Sequence, residues 1–252
     1  MSKPAKGDTR LYSRWVGEFV VIALGVLAAL AVDNWSEEHN NRVLEQEYLA
    51  RIKEDLKWDL VEIEEAIQAS ILQARAATTL LYELNDPLAD HVPRFGSDRL
   101  KAIDFAMPVN EELGVRLKRL VWLVARTRSF DPRRNTYDEL LATGRIVVID
   151  DSELRAAILE HYAFMEDTVT GLAEWVQEPA NNYDEFLATS TGFNAFDFNA
   201  IDDPMPLLRD LDGLLPKLRD VRRISLRQAM TLGSVEESSR KLLAIIDSHS
   251  HN

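Results

Sequence analysis

Hydrophobic and polar positions follow three patterns along the chain. From Phe19 to Val32 the sequence FVVIALGVLAALAV carries no charge. From Leu49 to Ala74 apolar residues recur at every third or fourth position. Beyond Pro87, amphipathic segments alternate with stretches broken by proline and glycine. The first pattern predicts a membrane span. Phe19 to Val32 alone is short for a hydrocarbon core of about 30 Å, which needs about 20 residues. Including Trp15 and Trp35 extends it to roughly 30 Å and sets one indole at each headgroup layer. The nine strongly apolar residues of the run favour insertion by roughly 3 to 5 kcal/mol. Glu18 opposes insertion, but within one turn of Arg14 it can pair or reach water at small cost.

Lys3, Lys6, Arg10 and Arg14 precede the run, whereas Arg42 and Arg51 are the basic residues soon after it. Positive residues stay on the cytoplasmic side. Residues 1–14 therefore read as a short cytoplasmic tail, 15–35 as the transmembrane helix and 36–252 as an extracytoplasmic domain. The rival reading is a cleaved signal peptide, with Ala29-Leu30-Ala31 as an A-x-A site and the remainder secreted to the periplasm. Gly25 and Ala29 form a small-xxx-small pair that would let two spans approach, although such pairs are commonly ordinary packing.

The second pattern predicts one long helix over about 36–85. No proline or glycine interrupts Trp35 to Leu84, and Asn85-Asp86-Pro87 is a breaker. Leu49, Ile52, Leu56, Leu60, Ile63, Ile67, Ile71 and Ala74 follow an 11-residue repeat, which coils little or slightly right-handedly. A rod of roughly 75 Å exceeds what a compact bundle of this size covers, so part of it should form a stalk or meet another chain. Between Asp33 and Leu84, 12 acidic residues outnumber 5 basic ones, as expected of a solvated helix face.

The third pattern predicts a bundle over about 98–247. Its elements are a short helix near Asp98–Ala106 and a helix over 111–129 bearing Leu113, Leu117, Leu120, Val121 and Val124. Arg116, Lys118, Arg119, Arg126, Arg128, Arg133 and Arg134 form a basic strip there. It would pair with the acidic long helix or, alternatively, meet anionic lipid or an acidic partner. Thr136 and Glu139 have capping-box spacing, Gly144 supplies a left-handed stop, and Arg145–Ile149 reads as a buried extended crossover. Asp150 and Glu153 suggest a second box. The next helix carries Leu154, Ile158, Tyr162, Met165, Val169, Leu172 and Val176, up to a kink or stop at Pro179. A last helix over about 216–247 has a seam of Leu218, Val221, Leu232, Val235, Leu242 and Ile246, interrupted by Ser225, Gln228 and Ser239. The fold class is all-α: an N-terminal span continuing into an elongated bundle of about four main helices.

Composition narrows the chemistry. The net charge of −13 is opposite to that of a nucleic-acid binder. Cysteine is absent, and the ten glycines are too dispersed for a phosphate-binding loop. None of the five histidines (His39, His91, His161, His249, His251) belongs to Glu-x-x-His or His-Glu-x-x-His. His161 reads as a boundary residue, and His249-x-His251 lies at a terminus. Asp55 with Asp59, and Asp150 with Asp151, are the paired carboxylates available for acid–base work; a helix face and a cap explain them without catalysis. No cofactor, metal site or catalytic residue is expected.

Two stretches carry a family resemblance. GEFVVIALGVLAALAVDNWSEEHNNRVLEQEYLARIKEDLKWDL, with Asn34, Trp35, Glu37, Glu38, Tyr48, Leu49, Asp55 and Leu56, resembles the opening of an uncharacterised family of bacterial single-pass membrane proteins. That family is known only as a domain of unknown function. TYDELLATGRIVVIDDSELRAAILEHY, from Thr136 to Tyr162, resembles its central pattern. The resemblance implies a membrane anchor and an extracytoplasmic domain, and carries no activity.

The expected function is a membrane-anchored interaction or scaffolding module, with the bilayer as one partner and a homo-oligomer or protein partner along the long helix. A helical sensor working through a membrane partner, suggested by the polar seam residues, is the alternative; a carboxylate hydrolase is the third. The candidate ligand or partner site is the turn bearing Tyr137, Asp138, Gly144 and Arg145. Trp15 and Trp35 are the expected interface anchors.

Overall fold

The computed structural model describes residues 9–91 and 112–249, with side chains in the first helix given for Phe19 and from Ala23 onward. Every regular element among them is helical. Helix α1 (Thr9–Glu83) is one rod of 75 residues, roughly 110 Å long. It thus joins the expected tail, span and long helix, and begins inside the stretch read as tail. The expected helix near Asp98–Ala106 lies outside the described residues.

The other elements wrap the second half of α1. They are α2 (Leu113–Ala125), α3 (Asn135–Ala142), a 3-10 turn (Arg145–Val148), α4 (Ser152–Val169), α5 (Leu172–Thr191), a second 3-10 turn (Asp197–Ala200), α6 (Met205–Arg209) and α7 (Leu214–His249). Helix α7 lies along α1 as its main partner. The seven named seam positions of α1 from Leu49 to Ala74, Leu60 apart, are buried. Leu60 is only partly buried, and its neighbour Asp59 takes the inward position. The apolar stripes of α4 and α7 behave as their spacing predicts.

Burial divides into two cores. The proximal one joins α1 from Tyr48 to Ile71 with α4 and the C-terminal half of α7. The distal one joins Ala76–Leu81 with α2, α5 and the N-terminal part of α7. Between them lie two of the polar interruptions of the seam, Ser225 and Gln228, while Ser239 sits within the proximal core and donates to the Val235 carbonyl. Ser225 Oγ donates to Gln73 Oε1 at 2.7 Å, and Gln73 Nε2 donates to the Val124 carbonyl at 2.8 Å. One level down, Ser70 Oγ contacts Gln228 Oε1 at 2.7 Å, and Gln228 Nε2 donates to the Arg128 carbonyl at 2.8 Å. These buried groups satisfy one another, as burial demands.

Local readings need several corrections. The Thr136–Glu139 capping box does not form: α3 starts at Asn135, and both side chains reach to α1 instead. Arg145–Val148 is a 3-10 turn with no fully buried residue, so it is not an extended crossover. Asp151, rather than Asp150, caps α4, its Oδ1 accepting from the amides of Glu153 and Leu154. The break expected at Pro179 falls at Gly171 (φ +80°), and α5 runs through the proline.

Candidate functional site

Of the four residues placed together at the α3 turn, the structure turns each to a different task. Tyr137 is buried and stacks on Tyr162, with centroids 4.2 Å apart and planes 11° apart. Asp138 is exposed and pairs with Arg134 at 3.5 Å. Gly144 holds the left-handed φ of +67° that ends α3. Arg145 Nη1 donates to the Tyr48 hydroxyl at 3.0 Å. The proposed single site therefore does not assemble. Two networks that the sequence reading missed take its place, both anchored on α1.

The first is centred on Tyr48 and Glu139. The Tyr48 hydroxyl donates to Glu139 Oε1 at 2.8 Å, and Arg51 Nη2 donates to Glu139 Oε2 at 2.6 Å. The two hydrogen bonds hold the Glu139 carboxyl below the usual range, the bond from Arg51 contributing most. Nearby, Glu45 accepts the Asp150 amide at 3.2 Å, and His249 lies 3.5 Å from Asp151. The α3–α4 turn and the end of α7 thus meet α1 where its covered part begins.

The second network straps residues 126–134, the crossover from α2 to α3, onto α1. Arg128 pairs with Glu62 at 3.0 Å and Glu65 at 2.5 Å. The Arg133 guanidinium lies 3.9 Å from the Trp58 ring centroid, and its backbone amide donates to Asp59 Oδ1 at 2.9 Å. Thr136 Oγ1 donates to Asp55 Oδ2 at 2.6 Å. The basic strip therefore largely serves the fold: Arg128 pairs with the acidic face, Arg116 pairs with Glu83, Arg126 stacks on Trp122, and Arg134 pairs with Glu166 at 3.0 Å.

Asp59 is the unusual member, being fully buried with Oδ2 lacking any protein donor. Burial, opposed by the Arg133 amide, pushes its carboxyl up to about 7. The neighbouring Tyr162 hydroxyl is also buried and unpartnered. His161 is buried rather than at a boundary. Its Nδ1 is 2.9 Å from Ser238 Oγ, and desolvation lowers its pKa to about 4. Asp59 lies beneath the crossover with its Oδ1 on the Arg133 amide, and the partly buried Asp55 accepts from Thr136 through Oδ2. A depression of about 380 Å³ beside the seam, lined by Glu65, Ala69, Leu72, Gln73, Arg126 and Arg128 among others, opens to solvent.

The uncovered part of α1 is the other candidate surface. Phe19 is 72% exposed, Val32 65% and Trp35 68%, and Leu24, Val26, Leu27 and Leu30 are likewise exposed. Trp15 lies outside the described side chains. Among the described residues, no helix is long and apolar enough to cross a membrane. No group of three or more His, Asp or Glu that could hold a metal occurs among them either.

Residues 18–91 match the model of a family of unknown function (DUF6090). The match takes in the apolar run, the exposed segment after it and the buried seam of α1, and it stops short of Thr136–Tyr162. No curated protein and no solved structure matches the chain significantly.

Proposed function

We propose that the protein is a membrane-anchored helical interaction or scaffolding module, held by residues 15–35 and presenting its bundle on the extracytoplasmic side. The observation that carries this reading is the row of apolar side chains, Phe19 and those from Leu24 to Val32, left exposed among the described residues. A contiguous exposed apolar surface of this kind marks contact with lipid or protein. Its sequence length, tryptophan bracket and upstream basic residues favour lipid.

Residues 36–43, all exposed and mostly polar, form a stalk of roughly 12 Å before the bundle begins at Leu44. A second copy or a protein partner would meet the chain along this stalk, where no described residue covers the helix. The reading includes no catalytic role. Against the sensor alternative, Ser225 and Gln228 pair with Gln73 and Ser70, and Ser239 donates to the Val235 carbonyl.

The absence of cysteine makes the topology test simple. Single substitutions Ser36→Cys and Ser2→Cys are probed with a membrane-impermeant maleimide on intact spheroplasts. The reading expects labelling at position 36 in intact cells, and at position 2 only after lysis. The reverse pattern contradicts the orientation, and equal labelling at both positions only after lysis contradicts an extracytoplasmic bundle.

A further inference from the structure

We propose that Asp59 is a proton-operated latch for the crossover: protonated, it seats residues 126–134 on α1, and ionised, it lets that segment open. The geometry supplies the reason. Asp59 is fully buried, and one of its oxygens takes the Arg133 amide at 2.9 Å while the other meets no protein donor. At the unpartnered oxygen a neutral carboxyl leaves a buried O–H and a carboxylate leaves a buried charge, and the charge is by far the costlier of the two to keep from water.

The surroundings give the charged form little relief. Asp55 lies one helical turn away on α1, with its own carboxylate held by Thr136. From the crossover, Asp131 disfavours the anion and Arg133 favours it, though the Arg133 guanidinium is stacked on Trp58. From α4, Tyr162 brings a buried, unpartnered hydroxyl. Arg134, Asp138 and Glu166 surround the Tyr162 and Tyr137 rings at the edge of the cluster. The buried His161 adjoins Tyr162 and has its Nδ1 on Ser238 of α7.

The sign follows from linkage. A carboxyl whose folded pKa is raised to about 7 binds a proton more tightly closed than open. Closure is therefore strongest near pH 4 and weakens by about tenfold per pH unit as pH rises, flattening above 7. His161, with its folded pKa lowered to about 4, acts oppositely: its contribution is present above 6.5 and is lost as pH falls toward 4. The two slopes oppose each other in a global melt, so the latch must be read locally.

The test is hydrogen exchange of the amides of 128–136 in the full chain, corrected for intrinsic rates, between pH 5 and 8 in wild type and in Asp59→Asn. Asparagine keeps the acceptor for the Arg133 amide and removes the titration. The ratio of wild-type to variant opening should rise by about tenfold per pH unit between pH 5 and 6.5, then level off. A ratio independent of pH overturns the latch. Carboxyl-carbon NMR of Asp59 in the wild type is a second measurement that does not depend on the variant folding. A midpoint near 7 supports the proposal, and one in the ordinary aspartate range contradicts it.

Discussion

The two halves of α1 carry comparable apolar content and meet opposite surroundings. Phe19 and the large side chains from Leu24 to Val32 stand exposed. From Tyr48 to Leu81 most of them are buried under the other helices, with Trp58, Val61 and Leu72 left exposed. The difference lies in spacing. The second half confines its apolar residues to a stripe one face wide and fills the rest with charge, the pattern of a helix packed on one side. The stretch from Phe19 to Val32 in the first half is instead apolar on every face. A helix of that kind belongs in lipid or within a larger assembly.

The comparison can be broken from either side. Replacing Leu24 and Leu27 together by arginine should cost about 6 to 8 kcal/mol of insertion energy, more than the run supplies. The membrane-bound fraction should collapse while the thermal midpoint of the bundle stays unchanged. The converse is Ile63→Ala, which removes a fully buried side chain from the proximal core. It should destabilise the bundle by about 2 to 5 kcal/mol in denaturant titration and leave partitioning untouched. A change that moves both readouts together would show the two halves to be one cooperative unit.

Smaller changes probe the boundary between the cores. Gln228→Ala strands the Arg128 carbonyl, while Ser70 keeps the Ala66 carbonyl as acceptor, and should cost about 1 to 3 kcal/mol. Gly144→Ala has free space around the new methyl group. Its cost of about 1 kcal/mol should come only from the φ of +67°, detectable as a small fall in thermal midpoint.

Much of this fold was legible in the sequence, because helical spacing is a local signal. The α1 seam, the α4 and α7 stripes, the Asn85–Pro87 stop and the Gly144 stop all follow from residues within a few positions of one another. What local pattern misreads is partner choice. Thr136 and Glu139 have the spacing to cap their own helix, yet Asp55, Tyr48 and Arg51 sit within reach and take those hydrogen bonds. Asp59 read as a solvent-facing member of an acidic strip, because Leu60 beside it fits the seam equally well. Only the crossover lying over that face reverses the two. Ser225 and Gln228 looked like lapses in an apolar seam until Gln73 and Ser70 appeared opposite them. For the candidate turn, sequence proximity of Tyr137, Asp138, Gly144 and Arg145 said nothing of direction, and their side chains diverge.

The central claim, that residues 15–35 of α1 lie in a bilayer, is tested most directly by alkaline carbonate extraction of membranes from cells making the full chain. Retention of the intact polypeptide in the membrane pellet, with release only by detergent, is the expected result. Recovery of the intact polypeptide in the aqueous supernatant without detergent would contradict it.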